Sequence, residues 1–175
     1  MESLNNRLGW KAAATVYLRL AIGIGYLSAV ADRFGVWGPS GTHLVAWGNF
    51  HAFTGYTAQL NPWFPASWAF AVAWIATICE TFFGIGLIVG LGTRLVAILS
   101  GLLALAFAVG MVFGSGIKAP LNYSVFVVSA GSFLLACSDD FPYSLDGLRN
   151  RRKHRKCGGR SSDRSELDCI DGPES

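Results

Sequence analysis

Four stretches of the chain run almost without charge, at Ala12 to Ala31, Trp68 to Leu91, Leu95 to Ile117 and Ala119 to Ser138. Each holds about 20 residues or more, and a helix rising about 1.5 Å per residue then matches a hydrocarbon core about 30 Å thick, so the pattern predicts four crossings. The segment between the first two, Phe34 to Ser67, has a different makeup. It carries Trp37, Trp47, Phe50, Phe53, Tyr56, Trp63 and Phe64, and Trp68 opens the next stretch. Trp and Tyr favour the headgroup level, so this segment is expected to lie in the interface or to fold back over the bundle. Within it Leu44, Trp47, Phe50 or His51, and Phe53 or Thr54 recur at helical spacing and predict one short amphipathic helix. Asn61-Pro62 and Pro65 then turn the chain into the second crossing. Gly84, Gly86, Gly90 and Gly92 place a close hairpin between crossings two and three, and Gly86/Gly90 and Gly110/Gly114 have the G-x-x-x-G spacing of packed membrane helices. Gly116 through Pro120 breaks the chain into the fourth crossing.

The expected fold class is therefore all-α: an integral membrane four-helix bundle with an aromatic-rich extracytoplasmic loop between helices 1 and 2. Residues 1–11 form a cytoplasmic N-terminus, 12–138 the membrane domain with spans near 12–33, 67–91, 94–117 and 119–138, and 139–175 a basic, disordered tail too poor in apolar groups to bury a core. Composition agrees. Of the 175 residues 52% are hydrophobic and only 14% charged, with a mean hydropathy of +0.41, against about a quarter charged in soluble domains.

Charge sets the orientation. Arg7 and Lys11 precede the first span, Arg94 follows the Gly92-Thr93 turn, and Arg149, Arg151, Arg152, Lys153, Arg155 and Lys156 follow the fourth. With four spans these fall on one face, and the positive-inside rule makes that face cytoplasmic. The expectation is a multi-pass protein of the plasma membrane with both ends in the cytoplasm. A cleavable signal peptide ending at Ala29-Val30-Ala31 is the competing reading, but the apolar stretch is longer than a signal core and Arg19 interrupts it. The net charge of +3 does not indicate nucleic acid, because no aromatic residues interleave the basic run to stack on bases. The expected partner is the lipid bilayer, with a cytoplasmic or membrane redox partner and a homo-oligomer as further possibilities.

Charged residues inside a span are costly and select themselves as candidates. Arg19 and Glu80 each lie 13 positions from the outer end of their span if those ends are Asp32 and Ser67. Equal depth predicts an Arg19 to Glu80 ion pair. Such a pair serves either as a clamp between two helices or as part of a quinone-headgroup or proton site. Near the outer face Asp32, Arg33, Lys118, Asn122 and Tyr123 form a second candidate group, for an anion or a quinone headgroup, with helix capping as the plainer role of Asp32 and Arg33. His43 and His51 fall in the loop and His154 in the tail, so no span offers a haem ligand, and two histidines without a third ligand do not make a zinc site. Cys79, Cys137, Cys157 and Cys169 form no C-x-x-C, and none lies in the outer loop. No nucleotide-binding loop or hydrolase motif is present. No haem, metal or nucleotide is expected, and quinone is the one cofactor-like molecule the sequence invites.

Several of these pieces occur together in one order: Leu18-Arg19-Leu20-Ala21-Ile22-Gly23, then Ser28 through Gly35, then Glu80 with Gly84 through Gly92 and Thr93-Arg94, then Gly116 through Ser124. In that order the chain resembles the DoxX family of small four-helix membrane proteins over about residues 13 to 137. Many relatives have a lysine near the end of span one, where this chain has Asp32-Arg33. The family includes DoxD, a subunit of an archaeal thiosulfate:quinone oxidoreductase, and a membrane protein linked to an oxidative-stress complex with superoxide dismutase and a sulfurtransferase. The resemblance implies a quinone-linked redox subunit handling a small sulfur or thiol donor. A noncatalytic anchor or assembly platform for cytoplasmic redox proteins is the alternative, and a small-solute transporter a weaker one.

Overall fold

Long apolar runs without a polar stripe make helices whose mutual packing has to come from shape. The computed structural model describes residues 2–63, 65–138, 141, 144 and 145, most of them helical and with no strand among them. In chain order the helices are α1 (Glu2–Arg33), α2 (Phe50–Leu60), a 3-10 turn at Ala66–Trp68, α3 (Ala69–Val89), α4 (Thr93–Ser115), α5 (Lys118–Asn122) and α6 (Val125–Ala136). Three segments, Gly9–Arg33, Ala66–Val89 and Thr93–Ser115, are long and apolar enough to cross a membrane. Phe70, Ile78 and Phe82 of α3 and Leu95, Leu102 and Val109 of α4 stand exposed along both helices. A surface of that kind is stable against lipid and not against water. The chain is a membrane protein.

The second and third expected spans end within two residues of the observed Ala66–Val89 and Thr93–Ser115. Between them Gly90 and Gly92 take positive φ angles of 74° and 58°, and the amides of Gly90 and Leu91 both donate to the Gly86 carbonyl, which closes the hairpin. α1 packs chiefly on α3, and α4 on α6. The closest approach of the first pair is at Gly23 and Gly84. A Cβ on Gly84 would stand 3.0 Å from the Gly23 carbonyl oxygen, and one on Gly23 would stand 2.9 Å from that of Gly84. Dispersion and close packing, not hydrophobicity, join helices in lipid, so this backbone-to-backbone contact depends on both residues lacking a side chain.

Three boundaries differ from expectation. First, the helix of the first span begins at Glu2, so the expected N-terminal segment is part of α1. Its other end, Arg33, lies beside Thr77 near the middle of α3, not at the level of Trp68. The chain leaves α1 through a Schellman turn, in which Gly35 (φ 74°) donates to the Asp32 carbonyl and Val36 to that of Ala31. Second, the place beside the first half of α3 is taken by α2. Phe50 packs on Trp74 at 4.6 Å and on Phe70 at 6.0 Å between ring centroids, and Phe53, Thr57 and Leu60 are buried. α2 starts later than the apolar spacing suggested because Leu44 sits at φ 73° and fully exposed, Gly48 is also left-handed, and Asn49 caps the helix by accepting from the Ala52 amide. The G-x-x-x-G pair Gly110/Gly114 receives this helix: a Cβ on Gly114 would meet the Gln59 carbonyl and Leu60 Cα at 2.5 and 2.6 Å. Third, the fourth expected span is two helices. Ser124 at φ 54° separates α5 from α6, and 12-residue α6 is too short to cross alone. The expected tail, with its basic cluster, His154, Cys157 and Cys169, falls outside the described residues apart from residues 141, 144 and 145.

Candidate functional site

Side chains of a helix lean toward its N-terminus. α1 and α3 run antiparallel, so Arg33, level with Thr77, leans toward Glu80, and Glu80 leans toward Thr77. The two charges meet: Arg33 Nη2 lies 2.6 Å from Glu80 Oε2, and Arg33 Nη1 donates to Thr77 Oγ1 at 2.8 Å. Thr77 in turn donates to the Ala73 carbonyl at 2.8 Å. Arg33, Glu80 and Thr77 are each no more than 3% exposed. The roof of this cluster comes from the segment after α1. The guanidinium Cζ sits 3.7 Å from the centroid of the Phe53 ring and 5.6 Å from that of Trp47, an arrangement in which a planar cation is held over the negative face of a ring. Asp32 fixes the roof from below, since its Oδ2 accepts from the Trp47 amide at 2.9 Å. Trp47 packs edge-on against Phe53 at 5.2 Å, and Ser40 joins the Trp47 carbonyl to Asn49. Arg33 Nε and Asp32 Oδ1 have no hydrogen-bond partner among the described residues. The cluster thus has one donor and one acceptor to offer a guest.

Glu80 therefore pairs with Arg33 and not with Arg19. Counting 13 positions from each outer end assumed that α1 and α3 end in one plane, whereas α3 continues past the end of α1 through Ala69–Ala76. Arg19 is buried, but its Nη1 lies 3.0 Å from where a Gly90 Cβ would be. Ten residues of helix separate Gly90 from Glu80, about 15 Å. The second candidate group is divided as well. Asp32 and Arg33 belong to the buried cluster, whereas Lys118, Asn122 and Tyr123 are exposed on α5 and the turn after it, which packs on α4 and α6. His43 and His51 are exposed, Cys79 is half-buried beside Glu80 and Cys137 is exposed. Among the described residues no three His, Cys, Asp or Glu side chains converge.

Sequence reading missed a set of hydroxyls. Tyr26 donates to the Ser100 carbonyl at 2.8 Å, Ser100 Oγ donates to Tyr26 at 3.2 Å and lies 3.0 Å from Ser132 Oγ, and Ser129 donates to the Gly101 carbonyl at 2.9 Å. All four are buried, and they join α1, α4 and α6. Their signal was present as Ser129 and Ser132 three apart, which puts them on one helix face. Thr77, three residues before Glu80, carried the same signal. Against this geometry no family model matches the chain, and neither a curated protein nor a solved structure does.

Proposed function

We propose that the protein is a DoxX-like quinone-linked redox subunit of the plasma membrane, and that the Arg33, Glu80 and Asp32 cluster is its quinone-headgroup site. In this reading the chain crosses four times, α1 with α2 and α5 with α6 each making one interrupted crossing, and both ends lie in the cytoplasm. The observation that carries it is the free donor and acceptor on adjacent buried residues, Arg33 Nε and Asp32 Oδ1, with the Arg33 guanidinium lying over two aromatic rings and paired to a carboxyl. A quinone needs a donor to its carbonyl oxygen, and a quinol needs an acceptor for its hydroxyl. Half-buried Trp47 would stack on the planar ring, and in this reading Glu80 hands over one of the protons that reduction consumes. The overall step takes two electrons and two protons into the quinone. The electrons come from a small sulfur or thiol donor, two thiolate sulfurs joining in one S–S bond.

A second reading draws on the same cluster. Arg33 ties α1 to α3 through Glu80 and Thr77 and to α2 through Phe53, which is what a clamp does in a noncatalytic anchor. The two separate in one assay, quinone reduction by the purified detergent-solubilised protein offered thiosulfate, sulfite, sulfide or a small thiol. Donor-dependent quinol formation that falls about 10- to 100-fold in Glu80→Gln, the range for losing one hydrogen bond to a charged group, supports the redox reading. Absence of turnover with every donor, from folded protein, favours the anchor.

A further inference from the structure

We infer that residues 35–48 are a lid over the Arg33 cluster, that the bond from the Trp47 amide to Asp32 is its latch, and that a guest enters when Trp47 swings out. This rests on the reading of the cluster as a guest site but not on the identity of the guest. Arg33 Nε and Asp32 Oδ1, the atoms with bonds to offer, are both buried, so a guest reaches them only if a neighbouring part moves. Trp47 touches both residues that carry them, through its amide on Asp32 Oδ2 at 2.9 Å and its ring 5.6 Å from the Arg33 guanidinium. The other neighbours are held more firmly. α1 and α3 meet backbone to backbone at Gly23 and Gly84, and the bonds of Arg33 to Glu80 and Thr77 join the same two helices. Phe53, the second ring on the guanidinium, is 2% exposed and belongs to α2, which Phe50 seats on Phe70 and Trp74 and Leu60 seats on Gly114. Moving Phe53 means moving that helix.

Trp47, by contrast, is half-buried and sits in a loop that closes on itself at a neck. A Cβ on Gly35 would stand 2.8 Å from the Gly48 carbonyl oxygen, and one on Gly48 would stand 2.6 Å from the Pro39 carbonyl carbon. Its length falls within the roughly 6–16 residues of an Ω-loop, a compact surface unit whose ends lie close together. Its side-chain hydrogen bonds run mostly within itself or to the cap of α2: Ser40 donates to the Trp47 carbonyl, Asn49 to Ser40 and Thr42 to the Pro39 carbonyl. Besides the latch, Trp37 ties the loop to α1 beside the neck, where its Nε1 donates to the Ser28 carbonyl at 3.1 Å. Residues 34–49 include no Asp, Glu, Lys or Arg, so the lid is tied down without ion pairs of those groups. Gly38, Gly41 and Gly48, at φ 127°, 89° and 65°, supply points about which the backbone turns freely. Leu44 takes φ 73° although it is 92% exposed, so no packing holds it in a conformation that its side chain disfavours. The neck and the latch impose it, and release of the latch relieves it. Asp32 therefore serves both parts: Oδ2 holds Trp47, and Oδ1 is open to a guest.

The test uses the full chain in lipid nanodiscs, with 5-fluorotryptophan in place of tryptophan and the Trp47 resonance assigned by its loss in Trp47→Phe. Fluorine relaxation dispersion reads motion on the microsecond to millisecond scale of lids. Trp47 is expected to exchange between two environments while Trp74, fixed in the stack under α2, does not. Asp32→Asn, which takes the charge from the latch, should raise the open population roughly ten-fold, equivalent to about 1.4 kcal/mol. Should that variant fail to fold, Ser40→Ala, exposed and outside the cluster, removes the bond to the Trp47 carbonyl and should raise it about two- to ten-fold. A Trp47 resonance without exchange in the parent and unmoved by either variant overturns the inference, and so does exchange of Trp47 and Trp74 at one common rate, which would mean that α2 moves as a whole. A short-chain ubiquinone analogue is then added to the same sample and should suppress the exchange as Trp47 closes on its ring. A lid that moves and ignores the analogue at saturation would overturn the quinone reading alone, and quinone turnover with a static Trp47 would overturn the lid alone.

Discussion

At the scale of the residue, Arg33 is the side chain whose chemistry is hardest to replace. A buried ion pair is weak evidence of net stability, but removing one partner strands the other in a medium that cannot solvate it. Arg33→Ala or Glu80→Ala is expected to cost about 3–5 kcal/mol, and the double variant Arg33→Met/Glu80→Leu to recover most of that loss, since apolar groups of similar volume need no partner. Unfolding in mixed detergent measures all three, and additive single losses in the double variant would show that the two residues do not interact. Arg33→Lys keeps the charge but neither the fork that reaches Glu80 and Thr77 at once nor the flat face on Phe53. It should remain about 1–2 kcal/mol below the parent, the worth of a desolvated ring contact and a hydrogen bond.

Between elements, stability is set by how closely backbones approach. Gly84→Ala would press a methyl to 3.0 Å from the Gly23 carbonyl and the Leu27 side chain, whereas nothing lies within 4 Å of a Cβ on Gly25. The first should destabilise the α1–α3 pair by about 1–3 kcal/mol. The second should be neutral or stabilise by up to about 1 kcal/mol, because it removes glycine from a helix interior without a clash. Equal effects at the two sites in the same unfolding assay would contradict the observed packing. The aromatic segment belongs to this scale too. Phe34, Phe50, Phe70 and Trp74 form one stack that seats α2 against α3. Their composition alone marks an interface, and it took the ring contacts to show a helix standing where α1 stops.

For the whole molecule, the position of the two interruptions matters most. Irregular backbone at membrane depth is tolerated where protein or a polar cavity satisfies it, and interrupted crossings often mark a functional site. α1 gives way to α2 near the Arg33–Glu80 pair, and α5 gives way to α6 at Ser124. If both interrupted pairs complete a crossing, the ends of the chain share a side. A cysteine placed at Asn5 and the native Cys157 should then react with an impermeant reagent from one face of sealed vesicles, and His43→Cys from the other. Labelling of Asn5→Cys and Cys157 from opposite faces would reduce the crossings to an odd number.

The one-dimensional pattern by itself determined that the protein lives in lipid, where the α3–α4 hairpin turns and which charges are out of place in a span. These follow from length, hydropathy and glycine position, which are local properties. Sequence reading also singled out Glu80 and Arg33, but it gave them different partners. The choice of partner depends on the offset between α1 and α3, which is set by the Gly23–Gly84 contact and by where a Schellman turn releases the chain. About four helical turns of slippage exchange Arg19 for Arg33 opposite Glu80, and hydropathy is blind to such a shift because it returns nearly the same helix face. Only the packed backbones, distinguishing glycine from every other residue, decided which arginine meets the carboxylate.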